Sequence, residues 1–411
     1  MNRQTRKEFL KITGLMAGGF LFNKKTHAAK LKKDIASAFS IRPNLNYFNN
    51  GTLGPSPIAV QDAIIERIKY VDSTLSYSGL EAEALQSIAA FVGVKPTEIA
   101  FTHNVTEGIN IAAWGISLEK GDEILMTKHE HAGGALPWLN RQKIEGIQVK
   151  TFDISTTVTE TLTNLKESVT KKTKVIAIPH ILCTIGQVLP IKEIAEFART
   201  KNIITVIDGA HPVGMMPLNI KDIGCDVYVS CCHKWLCGPK GMGLLYVNQD
   251  FRQKLTPKFI GALSADWDAS GENKGLKEYV DDAHQYFYGT TNSANYAGLI
   301  AAIDYQNKIG KQQIFEIGNK LAQSFKSFLL ENNKYFSLLT PMEAASSANI
   351  VTFRFKDKSL DLANYLRINN CVVRYVAESN LDCARASFHL YNNEKQLATL
   401  QTKIMEFVKS N

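Results

Sequence analysis

The sequence is short of several things, and each shortage removes a class of protein. Seven cysteines are present among 411 residues: Cys183, Cys225, Cys231, Cys232, Cys237, Cys371 and Cys383. An odd number without framework spacing argues against a disulfide scaffold. Cys231-Cys232-His233 followed by Cys237 could pass for metal ligands, but adjacent cysteines lack the usual ligand spacing, so no metal is expected. There is no internal repeat and no low-complexity tract. Gly (27) and Pro (12) are at ordinary levels, which leaves out collagen, mucin-like stalks, coiled coils and wholesale disorder. Excess charge of one sign is missing from most of the chain. The formal net charge is +8, yet residues 1–33 hold nine Lys/Arg against the single acid Glu8. That leaves 38 of the 47 basic and 38 of the 39 acidic residues to the remainder. A body with no net charge is not a nucleic-acid binder by composition, and no nucleic-acid partner is expected.

The positive field belongs to the leader. A basic start precedes an apolar run from Ile12 to Phe22, with small residues Ala28 and Ala29 after it. Eleven residues are too few to cross a bilayer core about 30 Å thick, so no stable membrane insertion is expected. They suit the core of a signal peptide over residues 1–29. Thr5-Arg6-Lys7-Glu8-Phe9-Leu10-Lys11 resembles the twin-arginine export motif, with Lys7 in place of the second arginine. The expectation is export to the periplasm; a leader that is not read would leave the chain cytoplasmic.

Residues 30–57 read as an arm rich in turn residues, including Asn49-Asn50-Gly51 and Gly54-Pro55-Ser56-Pro57. From residue 58 onward strand and helix patterns alternate. Ile99–Thr102, Glu123–Thr127, Val149–Ile154, Val175–Ile178, Ile203–Ile207, Val227–Ser230 and Leu244–Val247 read as seven buried strands. Gln61–Tyr70, Thr106–Trp114 and Ile191–Arg199 read as helices. Apolar strands alternating with helices predict an α/β fold with a mostly parallel sheet covered on both faces, over residues 58–293. From residue 294 the pattern changes to two long helices, strands near 347–355 and 371–375, and a final helix near 394–408. That predicts a smaller C-terminal α+β domain over 294–411.

In such a sheet, ligands sit beyond the carboxyl ends of the strands. Four polar clusters lie there. His103-Asn104-Val105-Thr106-Glu107-Gly108 opens a helix, where free N–H groups attract phosphate; an ordinary cap by Asn104 or Thr106 is the plain alternative. Glu130-His131 precedes Gly133 and Gly134, and His131 could stack on a flat ring or be a satisfied polar residue. Asp208-Gly209-Ala210-His211 ends a buried strand, and a carboxylate there needs a partner. A protonated ring nitrogen would serve, as in the pairing that strengthens pyridoxal phosphate (PLP) as an electron sink; a helix cap or metal ligand is the alternative. Ser230-Cys231-Cys232-His233-Lys234-Trp235 carries a lysine just past a strand, suited to a Schiff base with an aldehyde cofactor unless it is a plain loop lysine.

Taken together and in this order, the clusters resemble the class V aminotransferase group of fold-type I PLP enzymes. That group includes cysteine desulfurases, selenocysteine lyases and isopenicillin N epimerase-like proteins. The resemblance runs from Tyr47 to about Val408. It implies PLP as cofactor, with Lys234 as the Schiff-base lysine, Asp208 as partner of the ring nitrogen and His131 as the stacking residue. It implies a phosphate cradle from Thr106 and the backbone at Glu107, with Ser230 and His233, and places His180 and His211 near the cofactor's phenolic oxygen. Gly289-Thr290-Thr291-Asn292 resembles the segment by which Thr290 and Thr291 reach the phosphate of a neighbouring subunit, which implies a homodimer. Arg385 matches the arginine that grips the substrate's α-carboxylate, and Asn50 lies in the substrate loop. The implied activity is a PLP-dependent reaction on an amino acid, as an aminotransferase or isopenicillin N epimerase-like enzyme. The alternative is a Cβ–S lyase or a cysteine desulfurase or selenocysteine lyase-like enzyme. Desulfurases carry a nucleophilic cysteine on a mobile loop before the arginine. Here only Cys383 falls in that interval, two residues before Arg385, where a structured segment is expected.

Overall fold

The computed structural model describes residues 35, 37–77, 79–268 and 275–411. The leader expectation, residues 1–29, lies outside the described residues. An arm strand, β1 (Asn46–Tyr47), precedes helices α1 (Ile58–Thr74) and α2 (Glu81–Val92). Then come β2 (Ile99–Thr102), α3 (Val105–Gly115), β3 (Glu123–Thr127), α4 (Ala132–Glu145), β4 (Gln148–Phe152) and α5 (Val158–Ser168). They are followed by β5 (Thr173–Pro179), α6 (Ile191–Thr200), β6 (Ile204–Asp208), α7 (Ile220–Ile223), β7 (Val227–Cys231) and β8 (Gly243–Val247). The seven strands β2 to β8 form one sheet in the order β2-β8-β7-β6-β5-β3-β4. Only β8 runs against its neighbours.

The strands form because both of their faces find cover. Successive residues point to opposite faces, and both sets are apolar. Phe101, Leu125, Ile176, Ile207 and Tyr228 join one core with residues of α2 and α6. Ala100, Ile124, Met126, Val206 and Val229 join the other, with Ile109 and Ala112 of α3 and Trp138 of α4. Gly108 sets the depth of α3: a Cβ there would overlap Val229 of β7. The close approach holds the N-terminus of α3 over the carboxyl end of the sheet.

A hairpin, β9 (Ala265–Asp268) and β10 (Gly275–Tyr279), leads to α8 (Ser293–Ile309) and α9 (Lys311–Glu331). The rest of the chain is β11 (Phe336–Leu338), β12 (Ile350–Phe355), α10 (Ser359–Ile368), β13 (Cys371–Val372), β14 (Arg374–Val376), β15 (Cys383–Ser387) and α11 (Glu394–Lys409). Strands β11-β12-β15-β14 make an antiparallel sheet covered by α9, α10 and α11, with its own core of Phe325, Phe353, Phe388 and Leu400. This is the smaller α+β unit. Helix α8 departs from the expected division at residue 294: Tyr296, Leu299, Ala302 and Ile303 bury in the large core. It packs against α1 and α2, so the smaller core begins with α9.

The arm ties the two units together. Asn46 and Tyr47 pair in parallel with Cys371 and Val372. Gly54 N–H donates to the His233 carbonyl at 2.8 Å, and a Cβ on Gly54 would strike the Lys234 carbonyl.

Candidate active site

A cavity of about 220 Å³ opens beyond the carboxyl ends of β5, β6 and β7. Asn104, Val105 and Thr106 line it from the start of α3, and His131 and Gly133 from the start of α4. Asp208, His211, His233 and Lys234 line it from the loops after β6 and β7. The arm contributes Thr52, and the segment after β5 contributes Pro179, Ile181 and Cys183.

Asp208 ends β6. Its Oδ1 accepts from Ala210 N–H at 2.9 Å. Burial raises its pKa, against the Lys234 cation, the Ala210 N–H and His131, which favour the anion. A cation brought against this carboxylate relieves the burial penalty. His131 caps α4, accepting from Gly133 N–H on Nδ1 at 3.0 Å. Burial foremost, then Lys234, lowers its pKa. Both effects keep the ring neutral, as suits a residue at the positive end of a helix. The preceding Glu130 accepts from the Thr127 N–H and hydroxyl at 3.0 and 2.7 Å, and burial pushes its carboxyl up to about 8.

Arg385 lies on β15 with its side chain wholly buried. Its Nη1 donates to the Cys183 carbonyl at 2.5 Å and its Nη2 to Thr52 Oγ1 at 3.2 Å. Burial first, then the cation of Arg374, brings its pKa down to about 10. Arg374 faces Arg385 across the β14–β15 ladder and is paired with Glu378. Buried polar atoms without a partner gather here: Arg385 Nε, Asn50 Nδ2 and Ser387 Oγ. An unpartnered nitrogen on a buried guanidinium is what a carboxylate would satisfy.

Lys234, Asp208, His131, Thr106, His211 and His233 thus meet in one cavity, and Arg385 touches two of its lining residues. The other expected residues do not line it. His180 points away: strand alternation sends Pro179 and Ile181 to the cavity and His180 to Tyr228, whose hydroxyl is 3.0 Å from Nδ1. The Ser230 hydroxyl donates to the Gly209 carbonyl at 2.7 Å, leaving no proton for a phosphate. The Glu107 N–H donates to the Asn104 cap at 3.0 Å, so the plain capping alternative holds for that group. Asn50 is buried one layer back, accepting from the Tyr391 hydroxyl at 3.0 Å. Thr290 and Thr291 line a second cavity with His103, Glu107 and Tyr288. Sequence reasoning missed Thr52 and the Cys183 carbonyl as supports for Arg385. Thr52 carries a signal, since it is next in the Asn-Asn-Gly turn; a backbone carbonyl carries none.

The residues present fit PLP. Thr106 and the first turn of α3 suit a phosphate, Asp208 suits a protonated ring nitrogen, and Lys234 supplies the amine. Gly133 keeps the cradle open, because a Cβ there would overlap Thr106 Oγ1. No group of His, Cys, Asp and Glu able to hold a metal occurs among the described residues.

Comparison with known proteins agrees. A probable cysteine desulfurase of Halalkalibacterium halodurans is 29% identical over 382 residues, covering 87% of this chain and 91% of that one. The isopenicillin N epimerase of Amycolatopsis lactamdurans is 25% identical over 397 residues, covering 90% and 97%. Among solved structures, the cystine C–S lyase C-DES in complex with its product cysteine persulfide superposes with a TM-score of 0.81 at 26% identity, covering 88% of this chain and 97% of that one. The sequence profile of the class V aminotransferases matches residues 75–400, from just before α2 into the first half of α11. The chain belongs to the class V aminotransferase family and is a PLP-dependent enzyme.

Proposed function

We propose that the enzyme takes a free α-amino acid, held by its carboxylate at Arg385, and acts at its Cα–H bond, giving epimerisation or transamination. The observation that carries this is the buried Arg385 guanidinium. Its Nε lacks a partner, and its other nitrogens are fixed by Cys183 and Thr52 at the edge of the cavity that holds Lys234. PLP, when bound, withdraws electrons from Cα. Lys234, the only lysine lining the cavity among the described residues, takes and returns the Cα proton. Asp208 keeps the ring nitrogen protonated, and His131 at the start of α4 defines one face of the cavity.

A second reading, loss of a sulfur substituent from Cβ, is supported by the likeness to the C–S lyase and the desulfurase. The thiols specify its form. Cys383 lies within β15, donates to the Leu381 carbonyl at 3.0 Å and does not line the cavity. Cys183 and Cys231 do line it, but burial raises both thiols, Cys231 to about 11. Sulfur would therefore leave into solution rather than onto a protein thiolate. Incubation with an amino-acid panel, followed by assay for keto acid, D-isomer and sulfide, separates the readings. Sulfide release without a keto-acid acceptor favours the lyase. Lys234→Ala should abolish borohydride fixation of cofactor; unchanged fixation refutes the lysine assignment.

A homodimer and export are part of the same proposal. Exposed Phe259, Ile260, Leu263 and Trp267 fall in the stretch before Thr290 and Thr291, and a second copy would cover them. The basic, apolar leader supports export, which cell fractionation tests.

A further inference from the structure

We propose that Trp235 is a positioning residue that locks His211 as a neutral imidazole with its proton on Nε2, giving the cavity a fixed donor for an anionic oxygen of the cofactor. The inference rests on the PLP reading, and the new assignment is to Trp235.

An indole N–H can only donate. Trp235 Nε1 donates to His211 Nδ1 at 3.0 Å. That nitrogen must therefore offer a lone pair, and the proton of the neutral ring sits on Nε2. A doubly protonated ring would set two N–H groups against each other. Trp235 is held from both sides. Its ring is edge-on to His211 at 6.4 Å and to His389 at 5.2 Å. Its carbonyl accepts from Gln306 Nε2 at 2.7 Å and pairs with His389 Nε2 at 2.8 Å. Ile181, Met215, Ala348 and Ile350 pack with it. The indole is fully buried.

His211 Nε2 is itself buried and has no partner, on a residue that lines the cavity beside Asp208 and Lys234. An orphaned buried donor is costly to fold around, and an acceptor on a ligand removes that cost. The titratable groups bearing on the ring are Lys234, Arg385, Arg374 and His131; with burial as the largest cause, all disfavour a second proton. The field and the indole act in the same direction, but only the indole chooses which nitrogen keeps the proton.

The test begins with cofactor-free protein carrying ¹⁵N-histidine. His211 should show Nε2–H with a bare Nδ1 and no titration across the pH range where ordinary histidines change charge, about 5 to 8. Trp235→Phe keeps an aromatic ring and removes the donor. It should mix the tautomers. In the loaded enzyme it should also move the pH midpoint of the cofactor's visible absorption by about one unit, a tenfold change in the protonation ratio. In a His211→Asn background, whose amide has no tautomer, the same substitution should leave that midpoint in place. A parent spectrum with the proton on Nδ1, or with a titrating ring, overturns the proposal even if the Phe variant fails to fold. An unmoved midpoint in Trp235→Phe also overturns it. Failure of the PLP reading would show separately, as parent protein without visible absorption beside an intact ¹⁵N pattern.

Discussion

Replacing Arg385 with methionine should weaken recognition of the substrate's carboxylate without weakening the empty protein. The side chain is wholly buried, and burial brings its pKa down to about 10, which marks a charge poorly matched before substrate arrives. At about 1.4 kcal/mol for each tenfold step, the mismatch is about 3 kcal/mol. A carboxylate supplies the missing countercharge and satisfies Nε, so it should recover a free energy of that order. An α-amino acid should thus be preferred over its α-amide by about 10² in kcat/KM. Arg385→Met removes this preference, bringing acid and amide to within a few-fold of each other. Methionine also relieves the buried charge, so cofactor-free protein should keep its thermal midpoint or gain slightly. Steady-state kinetics on acid and amide pairs, with calorimetry of both proteins, decides it. A variant that still prefers the acid a hundredfold would refute the carboxylate site.

Two further outcomes follow from geometry. Gly133→Ala puts a Cβ into Thr106 Oγ1 and should weaken cofactor binding about tenfold or more by overpacking, whereas Gly134→Ala, whose Cβ meets Glu130 and Asp208 at 3.5 and 3.6 Å, should change little; cofactor titration compares them. Lys326 is buried, donates to the Pro341 carbonyl at 2.7 Å and has its pKa lowered by burial to about 8. Both states hold the proton below pH 8. Between about 8 and 10.5 the folded chain sheds a proton that the unfolded chain keeps, so stability should rise with pH over that window. Lys326→Met should abolish the rise and stabilise the protein at pH 7 by about 1–3 kcal/mol, which denaturant titrations at pH 7 and 10 measure.

The seven strands of the large sheet are legible in sequence because burial on both faces demands continuous apolar runs. Helix α4 is not, since Gly133, Gly134 and Pro137 read as a turn. What holds it is tertiary: Trp138 and Arg141 are buried, and Arg141 Nη1 reaches the Ile116 carbonyl at 2.8 Å. The site follows the same division. Lys234, Asp208 and His131 announce themselves by position at strand ends. His180, Ser230 and Asn50 fall in the right segments but face other partners, because a step of one residue along an extended chain reverses a side chain. No local pattern reveals which residue of such a pair looks inward. Nor does it reveal Trp235, whose part depends on His211 and His389, residues far from it in sequence.

Thr52 and Arg385 meet across 333 positions of chain, and Asn50 and Tyr391 across 341. The residues that line the cavity between Asn104 and Lys234 lie much closer together along the chain. During synthesis the cofactor cradle can therefore assemble while the substrate clamp still lacks its guanidinium. The arm waits, unpaired, until β13 and β15 emerge. Closing so long a loop is slow. A nascent chain is thus equipped to capture its cofactor before it can recognise an amino acid, and the competence to turn over waits until β15 has left the ribosome.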